Sequence, residues 1–317
     1  MKKIIDLIKS AENIAIFTHV NCDGDAVGSS FALKKVLDEF GKKTTVFIDT
    51  KIPERLKFMP NIYDAEYLTA YENKGFDLFI ALDCGDLARL GEYAEVFHEM
   101  ENTVSIDHHT SNTKFAKENF VAPDASATGE VLYDLINEGN FLISKETASL
   151  LYGAIASDTG SFQYSNTSEK THLIASKLIA LGADSVYVNK KLFDTLMVSE
   201  IKIKGYAMNN FKLYADGKIC SVGISKTTMD AIDCSYEDVE CLSGFPRSIE
   251  GVEIGLLIKE WKDGLYKISI RTNTYVDATV LAGKFGGGGH IRASGCTIEG
   301  TLESVTEKIV NAAKELI

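Results

Sequence analysis

The sequence predicts an α/β fold, with a mostly parallel N-terminal sheet flanked by helices and a smaller C-terminal α/β domain. Short apolar strand patterns alternate with helical patterns in the first half, which is typical of parallel sheets covered on both faces. A second group of strand and helix patterns follows a long helical stretch. The 317 residues, 45% of them hydrophobic, are enough to bury two cores.

The first predicted domain, residues 1–184, begins with a short amphipathic helix. The segment "NIAIFTH" then predicts a strand, and "DAVGSSFALKKVLDEFG" predicts a helix that ends at its glycine. Three more strands are predicted at "TTVFID", "DLFIALD" and "TVSID", with a short helix around "LARLGEYAEVF" before the last. The pattern from 124 to 182 indicates three further helices.

A helical connector is predicted over residues 185–216, and a second domain over 217–317. The second domain starts with the strand "KICSVGI", and "VEIGLLIKEW" and "LYKISIRT" predict a hairpin around "KDG". A helix, the glycine-rich run "GKFGGGGHIRASG", the strand "CTIE" and a final helix complete it.

Composition limits the function classes. The formal net charge of −12 disfavours long polyanions as ligands, because phosphate contacts need lysine and arginine. A small phosphate-bearing substrate held by metal ions and a few basic groups remains compatible with it. Six cysteines without a CxxC pair indicate reduced thiols in a cytoplasmic protein. The sequence contains no run of about 18 apolar residues, so no membrane span is predicted.

Carboxylates and imidazoles follow several of the predicted strands. Because ligands bind beyond the carboxyl ends of parallel strands, we expect these groups to meet at one sheet edge. Taken singly, Asp25 could be a helix N-cap and Asp83 a turn former. The set as a whole comprises His19, Asp23, Asp25, Asp83, Asp107, His108, His109 and Asp158.

Such a cluster predicts divalent metal ions. Crowded carboxylates repel one another and raise each other's pKa unless cations neutralise them. Carboxylate and imidazole donors without thiolates disfavour structural zinc and suit Mn²⁺, with Mg²⁺ and Co²⁺ as alternatives. The groups suffice for two ions that share a bridging carboxylate, an arrangement that activates water and stabilises in-line phosphoryl displacement. The residues alone therefore predict two-metal phosphoester hydrolysis.

In type and order, four segments resemble the motifs of the DHH phosphoesterase superfamily: "HVNCDGDAVGS", "LDCGD", "IDHH" and "SDTGSF". The run "GKFGGGGHIRASG" resembles the signature of the associated DHHA1 domain. The resemblance spans nearly the whole chain and implies a cleft between the two domains. In its compact size, the chain resembles the proteins of the nanoRNase and pAp-phosphatase branch.

The resemblance also implies individual roles. His19, Asp23 and Asp83 would bind one Mn²⁺, and the second would lie between Asp83 and three further ligands, Asp25, His108 and Asp158. Asp83 would thus be the bridge of the catalytic centre. Asp107 would orient a neighbouring histidine, and His109 would face the scissile phosphate as a hydrogen-bond donor or proton source.

The glycine-rich run predicts a nucleotide-binding surface, since glycines let the backbone present N–H groups to an anion. A flexible linker is the alternative. Arg271 on the preceding strand is a second candidate for phosphate binding, and Arg247 in "GFPRSIEG" is a weaker one. The expected substrate-binding residues are Arg271, Gly287, Gly288, Gly289, His290, Arg292 and Ser294.

The branch implies degradation of very short RNA oligonucleotides to nucleoside 5′-monophosphates and dephosphorylation of 3′-phosphoadenosine 5′-phosphate (pAp) to AMP. An alternative is a phosphodiesterase for cyclic or linear dinucleotide second messengers such as c-di-AMP and pApA. The resemblance also implies a homodimer. Long nucleic acids and membranes are not expected as partners.

Overall fold

The computed structural model describes residues 1–66 and 75–317 of the chain. They form two compact units, Met1–Thr195 and Leu196–Ile317. The stretch 185–216, expected as a connector, is divided between these units. None of the helices within the described residues combines the length and the apolar character that crossing a bilayer requires.

A five-stranded parallel sheet forms the centre of the first unit. Its strands are β1 (Asn13–Thr18), β2 (Lys43–Phe47), β3 (Leu78–Leu82), β4 (Thr103–Asp107) and β5 (Glu118–Val121), in the spatial order β2-β1-β3-β4-β5. The helices of this unit are α1 (Lys2–Ser10), α2 (Gly24–Glu39), α3 (Ala94–Glu99), α4 (Thr128–Glu138), α5 (Lys145–Asp158), α6 (Glu169–Ala180) and α7 (Ser185–Asn189).

The sequence did not predict β5. Its four residues, "ENFV", are all half-buried and lack the apolar run that marks the inner strands. By contrast, every residue of β3 and β4 is buried, as expected for strands covered on both faces. The inner strands were therefore predicted, and so was the edge strand β2, whereas β5 at the other edge was not.

Helices α2 and α5 approach each other closely at two glycines of α2. A Cβ atom on Gly28 would lie 2.8 Å from the carbonyl oxygen of Leu150 and 3.0 Å from the Ala154 Cβ. On Gly24 it would lie 2.3 Å from the Ser157 hydroxyl oxygen. Because glycine has no side chain, the start of α2 can pack directly against the end of α5.

The second unit contains a six-stranded sheet with the order β10-β11-β9-β8-β7-β6. Only the β7–β8 pair is parallel among the paired strands described. The elements are α8 (Val198–Asn210), β6 (Lys212–Tyr214), β7 (Ile219–Ile224), α9 (Lys226–Ala231), β8 (Ile254–Lys262), β9 (Leu265–Thr272), α10 (Ala278–Gly283), β10 (Gly288–His290), β11 (Ala293–Glu299) and α11 (Leu302–Lys314).

Two cores cover this second sheet. One includes Ile268 and Ile270 of β9 together with Leu281 of α10 and Ile309 of α11. The other lies against β7 and β8 and includes Ile203 of α8. The hairpin and both flanking helices agree with the sequence pattern. Two strands were not expected: β10 lies inside the glycine run, and β6 lies in the stretch 185–216 that was predicted to be helical.

Candidate metal centre

The polar groups lie where three adjacent parallel strands end. His19 follows β1, Asp83 follows β3, and Asp107 ends β4. The helices bring the remaining groups to the same edge. Asp23 and Asp25 lie at the start of α2, and Asp158 is the last residue of α5.

Asp83 occupies the middle of the cluster and faces histidines with both of its oxygens. Its Oδ2 lies 3.6 Å from the Nε2 of His19. Its Oδ1 lies 3.6 Å from the Nε2 of His108 and 3.6 Å from the Nδ1 of His109. The Thr128 hydroxyl donates to the same Oδ1 at 3.0 Å. This carboxylate can therefore serve two binding positions at once.

The first position lies between His19, Asp23 and Asp83. The Nε2 of His19 is 4.0 Å from the Oδ2 of Asp23. Its Nδ1 lies 2.8 Å from the carbonyl oxygen of Val20, and in the tautomer that donates to this oxygen Nε2 presents its lone pair to the cluster. Asp23 Oδ1 also accepts from two backbone N–H groups as the N-cap of α2. The alternative of Asp25 as the cap is therefore wrong, because Asp25 lies inside the first turn.

The second position lies between Asp25, His108 and Asp158. The Nε2 of His108 is 3.9 Å from Asp25 Oδ2 and 3.5 Å from Asp158 Oδ2. The Nδ1 of His108 donates to the carbonyl oxygen of Ala125 at 3.2 Å, so its Nε2 also faces the cluster as a lone pair.

Asp25 is held from the start of α4. Its Oδ2 accepts from the backbone N–H of Thr128 at 2.6 Å, and its Oδ1 accepts from that of Gly129 at 3.0 Å. The Ser29 hydroxyl also donates to Oδ1, at 2.9 Å. These bonds fix a carboxylate that is only 1% exposed.

The electrostatics of the cluster favour added positive charge. Burial raises the pKa of Asp25, and the charges of Asp83 and Asp158 raise it further. Burial and the neighbouring Asp83 likewise raise the pKa of Asp158 to about 6, against an opposing effect of His108. For Asp83, burial is outweighed by the hydrogen bond and charge of His19, so its pKa is lowered. A divalent cation would relieve the repulsion that raises the other two.

Asp107 and His109 form a separate hydrogen-bonded pair beside the cluster. The His109 Nδ1 donates to Asp107 Oδ1 at 2.7 Å, and the Asn112 amide donates to Asp107 Oδ2, also at 2.7 Å. The bond to Asp107 raises the pKa of His109 to about 9, against the opposing effect of burial. The ring that Asp107 orients is therefore that of His109, while its bond to His108 is through the backbone N–H.

The donor set fits a pair of divalent cations. Within residues 1–66 and 75–317, three groups of three donor residues have ligand atoms within 4.8 Å of one another: His19, Asp23 and Asp83; Asp25, His108 and Asp158; and Asp83, His108 and His109. Oxygen and imidazole donors around a shared carboxylate suit hard or borderline divalent ions.

Among the expected substrate ligands in the second unit, Arg271 lies on β9 and His290 on β10. Burial lowers the pKa of Arg271, and the charge of nearby Arg247 lowers it further. His290 and Arg271 both pair with Ala293 of β11 from opposite sides, so the three residues point to the same face of the sheet.

The other expected ligands have structural contacts. A Cβ on Gly287 would lie 2.1 Å from the carbonyl oxygen of Gly295, whereas a Cβ on Gly288 would have no atom within 4 Å. Gly289 has a φ of +146° and lies close to β11. The buried Ser294 hydroxyl donates to the His290 carbonyl at 2.9 Å. Arg292 donates to the carbonyl oxygens of Val276 and Thr274.

Comparison with known families agrees with this arrangement. Residues 13–155 match the N-terminal domain of the DHH family, and residues 224–317 match the DHHA1 domain. The chain belongs to the DHH/DHHA1 family of phosphoesterases. Both the family and the two-part fold expected from the sequence are thereby confirmed.

Full-length relatives place the chain in one branch of the DHH/DHHA1 family. It is 29% identical to the bifunctional oligoribonuclease and PAP phosphatase NrnA of Thermus thermophilus, over 99% of this chain and 94% of the relative. The Bacillus subtilis protein of that name is 28% identical, over 93% and 92%. The crystal structure of an exopolyphosphatase-related protein from Bacteroides fragilis matches with a TM-score of 0.93 and 29% identity, over 99% and 95%.

Several residues of the DHH domain that contact the cluster were missed in the sequence: Ser29, Arg89, Asn112, Thr128 and Gly129. Thr128 donates to both Asp83 and Asp25, as described above. The guanidinium of Arg89 lies 3.0 Å from the Nδ1 of His19, 70 positions earlier in the chain. A threonine in "SATGE" and an arginine in a short turn carry no motif, so only the fold reveals them.

Proposed function

We propose that this DHH/DHHA1 protein hydrolyses very short RNA oligonucleotides to nucleoside 5′-monophosphates and removes the 3′-phosphate of pAp to give AMP. The proposal rests on Asp83, whose two carboxylate oxygens face His19 on one side and His108 on the other at 3.6 Å each. The names of the full-length relatives support the substrate class. Nothing in those names favours cyclic dinucleotides.

In this proposal His19, Asp23 and Asp83 hold one Mn²⁺, and Asp25, Asp83, His108 and Asp158 hold the other. A bound pair supplies Lewis-acid stabilisation of the phosphoryl oxygens and activation of water. Mg²⁺ or Co²⁺ would suit the same oxygen and nitrogen donors. Asp83 provides the shared ligand and lies, 2% exposed, at the end of a buried strand.

His109 is the proposed proton donor to the leaving oxygen. Its hydrogen bond to Asp107 fixes the ring and favours the imidazolium form in the metal-free chain. The Nε2 is left for the substrate, because Nδ1 is occupied by Asp107. Asp107 acts through His109 and is itself completely buried, so it does not contact the substrate.

Substrate phosphate is the proposed ligand of Arg271 and His290, with Gly288 providing an open backbone position. The charge of Arg247 lies close enough to lower the pKa of Arg271. Two guanidinium groups without a carboxylate ion pair in the described part of the chain form an anion-binding position. Gly287, Gly289, Arg292 and Ser294 support this position through the backbone contacts given above.

The test is product analysis with Mn²⁺ on pAp, a 5′-phosphorylated RNA dinucleotide, a 24-nucleotide RNA, c-di-AMP and pyrophosphate. We expect rapid conversion of pAp and the dinucleotide, and little conversion of the long RNA, which the charge of −12 repels. Preferential hydrolysis of c-di-AMP or pyrophosphate would contradict the proposed substrate class.

We also propose a homodimer located in the cytoplasm. Helix α8 supports the dimer, because Val198, Ile201 and Met208 are 70%, 55% and 58% exposed on one helical face. The cytoplasmic location is supported by the six cysteines, all of them free thiols.

A further inference from the structure

One face of the second sheet is open along β9. The residues of this strand alternate, with Tyr266, Ile268, Ile270 and Thr272 buried in the core and the intervening residues half-buried on the other face. Their cross-strand neighbours on β11 and β10 have mostly small side chains. We call this surface the open sheet face; it consists of Lys267, Ser269, Arg271, Gly288, His290, Ala293, Gly295 and Thr297.

An aromatic ring with two lysines lies at the far end of the open sheet face from Arg271. Trp261, at the β-bulge that ends β8, is 43% exposed. The Nζ atoms of Lys267 and Lys262 lie 4.1 and 4.3 Å from its ring centroid. Because Lys267 belongs to the open sheet face, its contact with the ring places Trp261 along the same face.

The basic groups at both ends of the open sheet face contact the Trp261 ring or the backbone and have no carboxylate partner among the described residues. Arg271, Lys262 and Lys267 form no ion pair with a carboxylate among residues 1–66 and 75–317. Two residue pairs beyond Lys267 and Thr297, the face ends at the exposed Glu299 opposite Leu265.

The spacing of these groups fits a short single strand of nucleic acid. Arg271 and Lys267 are four residues apart on β9, or about 13 Å at roughly 3.3 Å per residue. At about 3.4 Å per stacked nucleotide, this distance corresponds to no more than about four nucleotide steps. A carboxylate beyond Lys267 would repel the next phosphate, so the cationic surface has a defined length.

We propose that Trp261 and Lys267 form a distal subsite for oligonucleotides, in which Lys267 leaves the indole face to contact a phosphate and a base stacks on the indole in its place. The inference rests on the proposed function and adds to it a determinant of substrate length. Base stacking on an exposed aromatic ring is tolerant of sequence, and adjacent cations neutralise the backbone. In the stacked conformation a dinucleotide covers about 7 Å of the roughly 13 Å between Arg271 and Lys267, so a dinucleotide or pAp bound at Arg271 does not reach Trp261.

The first experiment compares Trp261→Ala and Lys267→Ala with the unaltered protein on three substrates. We expect kcat/KM for a 5′-phosphorylated RNA pentanucleotide to fall about tenfold in Trp261→Ala, and less in Lys267→Ala. For pAp and the dinucleotide it should change by less than about twofold. Equal losses on all three substrates, or no loss on the pentanucleotide, would overturn the subsite.

Two further variants serve as controls. Trp261→Phe retains a stacking ring and should keep most of the activity on the pentanucleotide. Lys212→Ala removes an exposed lysine of β6, at the opposite edge of the same sheet, and should leave all three substrates unaffected. A loss of activity in Lys212→Ala as large as that in Lys267→Ala would show that the loss comes from the change in net charge and not from the subsite.

Binding can be observed directly, because Trp261 is the only tryptophan in the chain. Titrating the metal-loaded protein with a pentanucleotide that has phosphorothioate linkages should quench indole fluorescence, whereas the corresponding dinucleotide should not. Absence of quenching by the pentanucleotide would refute the subsite. If the unaltered protein hydrolyses none of the substrates but its fluorescence is quenched, the proposed function fails and the subsite stands.

Discussion

Asp83 has an unusual backbone for a residue with a side chain. Its φ is 56°, in the left-handed region that asparagine and aspartate adopt more readily than most residues. This conformation turns the chain sharply after β3 and directs the carboxylate between His19 and His108. Strain of this kind concentrates at functional positions, and here it accompanies the carboxylate that faces both proposed metal positions.

Replacing Asp83 with asparagine retains the shape and tolerates the same backbone, but removes the bridging charge. We expect Mn²⁺ affinity to fall by more than about 100-fold, since even ligand-supporting residues contribute up to that much. Isothermal titration calorimetry measures the affinity and stoichiometry. Asp124→Asn, at an exposed position, is the matched control. Two ions bound with undiminished affinity in Asp83→Asn would contradict the bridge.

The pair Asp107–His109 predicts a measurable titration in the metal-free protein. His109 should titrate at about 9, and Asp107→Asn should lower this pKa, because a neutral amide oxygen replaces the charged acceptor that raises it. Because the folded pKa exceeds 6.5, the pair stabilises the fold fully below pH 6.5, and the contribution is lost as the pH rises through about 9. NMR of the imidazole protons tests this, and an unchanged titration in Asp107→Asn would count against the pair.

At the scale of elements, the contact of α2 with α5 positions carboxylates from two helices. Asp25 is in the first turn of α2, and Asp158 ends α5. Their separation depends on Gly24 and Gly28, where a Cβ atom would meet the other helix. A substitution in this contact should therefore affect the metal centre without touching a proposed ligand.

Gly28→Ala should lower the free energy of unfolding by about 1–3 kcal/mol through overpacking, and weaken Mn²⁺ binding as α5 shifts. The control is Gly153→Ala on α5, where the nearest atom to a new Cβ is the flexible end of Met59, at 3.3 Å. Chemical denaturation and calorimetry on both variants test the idea. Equal effects at the two glycines would mean that the close approach is unimportant.

For the whole molecule, the exposed face of α8 bears on assembly. Val198, Ile201 and Met208 lie on one side of a helix whose opposite side packs against the core through Ile203 and Ala207. A second copy of the chain would remove these side chains from water. The proposed dimer interface therefore consists of these exposed α8 side chains, none of which belongs to the metal centre.

Light scattering coupled to size-exclusion chromatography should give twice the chain mass of 34.7 kDa for the unaltered protein. Ile201→Glu should yield the monomer, because a buried unpaired charge opposes association. Leu142→Glu, at another exposed apolar position in the first unit, should remain dimeric. A monomeric unaltered protein would refute the proposal.

Features of the molecule that have a local sequence pattern were predicted from the sequence, and features that depend on distant contacts were not. The apolar runs of the buried strands predicted the sheet. The aspartates and histidines at the ends of these runs predicted its polar edge, because parallel strands have their carboxyl ends at the same edge of the sheet. Edge strands β5 and β10 have no buried apolar run and were missed. The inward position of Ser294 and the contact of Arg89 with His19 depend on hairpin register and distant packing, which local pattern does not contain.

The proposed ligands come from three strand ends and from two helices, so bound ions would join five elements of the first unit. Ligands that bind only the folded state stabilise it by mass action, by about 2.7 kcal/mol at a concentration 100 times the dissociation constant. Manganese supply would then control the lifetime of the protein as well as its turnover. In a metal-starved cell the chain would open more often and be degraded sooner, so its abundance would follow the availability of its cofactor.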